Sequence, residues 1–179
     1  KYGVESWALP YGSAHPYDET ANHICYTSDG GYLMCGYIRD ASVQKDVYVV
    51  KTDRLGAIEW TSRVGGTYHD EGWCCIETSD GGYAVSASWY RNGNWQVGLI
   101  KYNSVGDTMW TAFWGDPANG HTPYGLVQTA DNGYAVGGLM SGNVAAFLVK
   151  FEAEPEFGVF TTSVADLSIP VDDLAPARD

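Results

Sequence analysis

Thr27-Ser28-Asp29-Gly30-Gly31-Tyr32 returns as Thr78-Ser79-Asp80-Gly81-Gly82-Tyr83 and again, drifted, as Thr129-Ala130-Asp131-Asn132-Gly133-Tyr134. The copies start at 27, 78 and 129, a constant spacing of 51 residues. Two further anchors keep the same order. One is a hydrophobic run ending in Lys: Val47-Tyr48-Val49-Val50-Lys51, Gly98-Leu99-Ile100-Lys101 and Phe147-Leu148-Val149-Lys150. The other is Trp with Gly five residues on: Trp60 and Gly65, Trp110 and Gly115, and Trp7 and Gly12. Anchors recurring in fixed order define an internal repeat, and a period of 20–50 residues or so signals a solenoid, a propeller or an array.

Each repeat predicts four short strands. In the second, Trp73–Thr78 is a strand and Ser79-Asp80-Gly81-Gly82 a tight turn, since Asp-Gly and Gly-Gly supply the positive φ that hairpins require. Tyr83–Ser88 and Gln96–Tyr102 follow as strands, and Asn103-Ser104-Val105-Gly106 turns the chain into Thr108–Phe113. Asp53-Arg54-Leu55-Gly56 repeats that turn in the first copy. No helical periodicity of 11 residues or more occurs. The expected fold is all-β and β-propeller-like: about three four-stranded antiparallel blades of roughly 50 residues, with an extended C-terminal arm.

At these residues the chain resembles the repeats of secreted or surface β-propellers of bacteria and archaea, near the kelch and galactose-oxidase-like propellers. The resemblance covers residues 1–151. It implies a fold and a place outside the cell or on its surface, but no activity. No ligand set matching the galactose-oxidase copper site is present, and one fold hosts many functions.

Composition narrows the function classes. The 179 residues include 22 Gly, 13 Tyr and 7 Trp but only 18% charged residues, which favours short strands and turns. A net charge of -12 would repel a phosphate backbone, so nucleic acid is not an expected partner. No apolar run approaches the ~18 residues of a membrane helix, so membrane insertion is not expected. The chain starts at Lys1 without Met or signal peptide, as a processed chain or an excerpt would. Cys25, Cys35, Cys74 and Cys75 lack zinc or haem spacing and read as buried thiols or a single bridge. Cys74 and Cys75 are adjacent, so a strand would point them to opposite faces.

The repeat phase divides the chain into a terminal blade strand (1–12), blade 1 (13–65), blade 2 (66–115), an incomplete blade 3 (116–151) and an acidic tail or linker (152–179). Three blades fall short of the usual four to eight. Residues 5–11 or Phe157–Thr162 could supply the strand that blade 3 lacks. The tail carries seven acids against Arg178, yet also Phe157, Val159, Phe160, Leu167 and Ile169. It reads as a linker or as an arm adding a strand to a neighbouring subunit through those apolar residues.

Among residues that carry chemistry, Asp18-Glu19, Asp70-Glu71 and His121 precede the first strands at related phases, with His15 and His69 nearby. Recurrence once per blade favours a structural role over metal binding or acid–base work. Asp29, Asp80 and Asp131 read as turn stabilisers. Trp7, Trp60 and Trp110 read as core, and His23 as a packed edge residue. Trp89-Tyr90-Arg91-Asn92-Gly93-Asn94-Trp95 is the distinctive non-repeating stretch. Trp89, Tyr90, Arg91, Asn94 and Trp95 combine apolar platforms with polar edges, as a saccharide or protein contact requires; the competing reading packs both Trp between blades. No phosphate loop or nucleophile elbow is present. No residue is nominated for catalysis, a metal or a cofactor. The expectation is a non-enzymatic extracellular structural or interaction module whose partners are other copies of itself. Surface glycans (a lectin-like propeller) or membership of a larger propeller enzyme are the alternatives.

Overall fold

A computed structural model describes residues 6–11, 18–39, 44–115, 118–141 and 145–153. The chain is all-β over these residues, in three antiparallel sheets that follow one another in sequence. Sheet 1 holds β1 (Glu19–Tyr26), β2 (Tyr32–Arg39), β3 (Lys45–Thr52) and β4 (Ile58–Val64). Sheet 2 holds β5 (Asp70–Glu77), β6 (Tyr83–Arg91), β7 (Asn94–Tyr102) and β8 (Thr108–Trp114). Sheet 3 holds β9 (His121–Gln128), β10 (Tyr134–Met140) and β11 (Ala145–Phe151). The tail, with Phe157, Val159, Phe160, Leu167 and Ile169, lies outside the described residues, as does His15.

The repeated turns explain these hairpins. Gly30 and Gly81 have φ of 88° and 77°, a region closed to most side chains. In the drifted third copy that place is Asn132, at φ 63°, one of the few other residues that tolerates it. The second glycine has a different reason. A Cβ on Gly31, Gly82 or Gly133 would press into the carbonyl of Thr52, Tyr102 or Phe151 on the neighbouring strand. Drift can therefore change the first glycine to Asn but must keep the second.

The sheets pack through two cores. Leu33, Cys35, Val47 and Val49 of sheet 1 meet Cys75, Val85, Ile100 and Tyr102 of sheet 2. Cys74, Ala84, Val97 and Leu99, on the other face of sheet 2, meet Leu126, Val136 and Phe151 of sheet 3. Cys74 and Cys75 thus point into different cores, as adjacent strand residues must. The first strands stand together, β5 packing on both β1 and β9.

The strands around the sixth are longer than the repeat suggests. β6 and β7 run on to Arg91 and Asn94 and close through Asn92-Gly93, at φ 52° and 86°. Two consecutive positive φ values make a type I′ turn, the two-residue connection that matches strand twist. The Trp89–Trp95 stretch is therefore a tight hairpin, not a loop, with Trp89 paired to Gln96 and Tyr90 to Trp95.

Candidate functional site

The repeated residues assemble an ion lock at each turn. Asp29 accepts from Thr27 Oγ1 at 2.6 Å and from the Gly31 amide at 2.9 Å, and its other oxygen takes Lys51 Nζ at 2.7 Å. Lys51 also donates to the Thr52 carbonyl and to Glu59 on β4. Lys101 binds Asp80 and the Tyr102 carbonyl in the same way, and Lys150 pairs with Asp131. Burying an ammonium costs several kcal/mol unless it is fully hydrogen-bonded. Burial disfavours the charge on Lys51, but the bonds from Asp29 and Glu59 outweigh it and raise its pKa. Lys51 and Thr27 hold Asp29 at about 2. Burial pushes Asp80 upward, and Thr78 and Lys101 bring it down to about 2. The expectation of turn-stabilising aspartates is met, and the lysine partner is the part the sequence reading missed.

A second repeated unit joins the sheets. Trp60 of sheet 1 packs on Tyr83 and Tyr102 of sheet 2, with ring centroids 5.5 and 6.0 Å apart, and lies against Gly106. Trp110 meets Tyr134 of sheet 3 at 5.8 Å. Trp7 meets Tyr32 at 5.9 Å, and Trp7, Leu9 and Tyr11 crowd Gly56, to which Tyr11 also donates a hydrogen bond at 2.8 Å. Trp60 and Trp110 thus pack against the two cores as wedges at the joints between sheets, as the core reading expects, whereas Trp7, 39% exposed, departs from it. Polar contacts accompany the wedges. Ser28 donates twice to Glu77, and the Ser79 amide donates to Gln128 at the equivalent place.

The sequence-nominated ligand residues separate. Trp89 is buried, packs on Phe113 at 5.1 Å and belongs to the first core. Arg91 lies over the Phe113 ring at 3.9 Å. Tyr90 is stacked edge-on between Tyr68 and Trp95. Trp95 instead lines a cleft of about 120 Å³ at the junction of sheets 2 and 3, with Glu71, Trp73, Ser88, His121 and Ser141. Asn94 bonds the Trp95 amide at 2.8 Å rather than lining that cleft. Trp73 Nε1 is buried there with no hydrogen-bond partner among the described residues.

Glu19, Asp70, Glu71 and His121 open the first strands rather than precede them, because the ladders extend to include them, and Asp70 holds the amides of neighbouring segments. Asp70 accepts from the amides of Gly66 at 2.6 Å and Tyr90 at 3.0 Å, and burial lifts its pKa to about 6. Glu71 pairs with Lys45, Asp18 with Arg39, and His69 accepts from the Lys45 amide. His121 stacks on Trp114, its Nδ1 3.2 Å from the Trp95 carbonyl. All four cysteines are free thiols, and His23, on the edge strand β1, packs against β5 as expected, 3.4 Å from Cys75 Sγ. Burial raises the Cys74 pKa, and a bond to Cys75 with burial raises that of Cys25, so these thiols are poor nucleophiles.

No protein-family model matches the chain, and no curated protein is significantly similar to it.

Proposed function

We propose that the chain is a non-enzymatic structural and interaction module of propeller type whose sheets are completed between copies. The observation that carries this reading is the recurrent joint. The contact that links sheet 1 to sheet 2 and sheet 2 to sheet 3 is made once more by Trp7 on Tyr32, with no sheet of the described chain behind Trp7. At the other end, sheet 3 has three strands among the described residues where the others have four. Closely packed first strands and a Trp wedge at every joint support a radial arrangement of blades. A place outside the cell or on its surface rests on the resemblance of the repeats. The test is the mass of the purified chain in solution. A defined oligomer or polymer is expected; a monodisperse monomer at every concentration overturns self-assembly and favours a piece of a larger propeller.

The Trp73–Trp95 cleft favours a second reading, carbohydrate binding. Two indoles beside Glu71, Ser88 and Ser141 pair apolar ring faces with hydrogen-bonding groups, the combination that sugar recognition uses. A glycan screen comparing the parent chain with Trp95→Ala tests it, and equal binding by both removes it. Trp89→Ala is unsuitable because that residue holds the core.

A further inference from the structure

We infer that the back of sheet 3 in one copy receives the front of sheet 1 in a second copy, with Ser6–Tyr11 of the second copy running beside β11 as the missing fourth strand. The inference rests on the strand-completion reading and names its two surfaces and their register.

Repeat equivalence identifies both surfaces. Val49 and Leu99 hold the same place on the third strands of sheets 1 and 2, and both are fully buried at the joint with the next sheet. The same place in sheet 3 is Leu148, which is 77% exposed. Conversely, Val85 and Val136 are fully buried against the preceding sheet, whereas their equivalent in sheet 1, Met34, borders an open hollow of about 170 Å³ with Tyr11, Tyr48 and Val50. Among the described residues sheet 3 thus has an uncovered back and sheet 1 a front met only by Trp7 and Tyr11, and each is one half of an interface the chain already makes twice. That continuity singles out a second copy of this chain as the occupant.

The donor strand follows from the same equivalence. In both complete sheets the repeat Lys pairs with the repeat Trp: Lys51 with Trp60 and Lys101 with Trp110. Two residues along, Val49 pairs with Ser62 and Leu99 with Ala112. Applied to β11, this register sets Lys150 opposite Trp7 and Leu148 opposite Leu9, which is 48% exposed. Two exposed leucines become a cross-strand pair, the unit that stabilises a sheet. Pro10 lacks a donor and is tolerated only on an outermost strand, which is the place assigned to it. The chain's own next segment is poorly suited to the role. Gly56 and Gly106 turn the first two repeats at φ of 82° and 89°, and the corresponding residue is Pro155, whose ring forbids a positive φ. Two copies would bring six sheets together, within the range that propellers close.

The test uses full-length chains. Leu9→Cys and Leu148→Cys are made separately, mixed, treated with a short thiol cross-linker and mapped by peptide mass. A 9–148 link between chains is expected in the mixture and absent from either variant alone. A Leu9→Cys and Val127→Cys mixture serves as the off-site control. Leu148→Arg should weaken association at least tenfold, while Phe157→Asp with Phe160→Asp should leave the link intact. An assembly without the 9–148 link overturns this register and leaves strand completion standing. A link lost in the Phe157 and Phe160 double variant overturns the claim that Ser6–Tyr11 completes the sheet without the tail. A monomer in every mixture overturns both readings.

Discussion

Lys51 and Lys150 occupy the same place in successive repeats and pair with the same turn aspartate, yet the side chain of Lys51 is 1% exposed and that of Lys150 is 44% exposed. Lys101, in the other complete sheet, is buried like Lys51. The lock alone therefore does not bury the ammonium. In sheet 1 a fourth strand pairs beside it, setting Trp60 opposite Lys51, and adds Glu59 as a further acceptor. Lys150 has no described fourth strand beside it, and its pair is a solvent-screened one. One motif is thus a structural centre in one sheet and a surface contact in another, according to what pairs beside it.

The largest effect that sharpens this contrast belongs to the wedges. Trp60→Ala should cost about 4 kcal/mol, as loss of a large aromatic from a packed joint does, whereas Trp7→Ala should cost the isolated chain less than about 2 kcal/mol; urea unfolding of both measures the difference. Next comes the lock. Lys51→Ala should cost about 3 kcal/mol because the buried network loses its centre, whereas Lys150→Ala, at a solvent-screened surface pair, should leave stability unchanged within error. Equal losses would break the comparison.

Acid–base behaviour ranks third. Asp70 is raised to about 6 by burial, so its contribution is complete below the ordinary carboxylate pKa and lost as pH rises through 6. Asn at position 70 should remove a fall of about 2 kcal/mol between pH 4 and 7. Asp29 and Asp80 are held at about 2, so their contribution is present above pH 4 and lost as pH falls toward 2. Asp29→Asn should flatten that acid limb by about 1 kcal/mol after solvent screening. Melting curves across pH separate the two limbs. The smallest effect is Glu77→Ala, about 0.5 kcal/mol for exposed contacts to Ser28.

Much of the fold was legible because the repeat writes its own punctuation. The Asp-Gly-Gly turns and the Lys and Trp anchors located the four-strand pattern, and the shortage in the third copy was visible as a missing Trp. The Asn92-Gly93 turn was equally legible, being the strongest short hairpin signal, although strands ending at Ser88 and starting at Gln96 leave the aromatic stretch outside both. Counting by twos from Tyr83 through Val85 and Ala87 lands on Trp89, so its place in the core was also available from alternation. The Lys51–Asp29 lock was not legible in the same way. A lysine ending a hydrophobic strand carries no sign of which carboxylate it will meet, because that partner lies 22 residues away across a hairpin. The Trp73–Trp95 cleft joins residues from separate strands and has no local signature.

Cys74 and Cys75 put β5 between two cores, one on each face. Sheet 2 is therefore the shared wall of both, and neither core can open without exposing it. In linear repeat arrays neighbouring units can melt separately when their interfaces are weak. Here the middle unit couples the outer two, so amide protons of β5 and β6 should exchange only through global unfolding, while those of β11 exchange through local opening at far lower free energy.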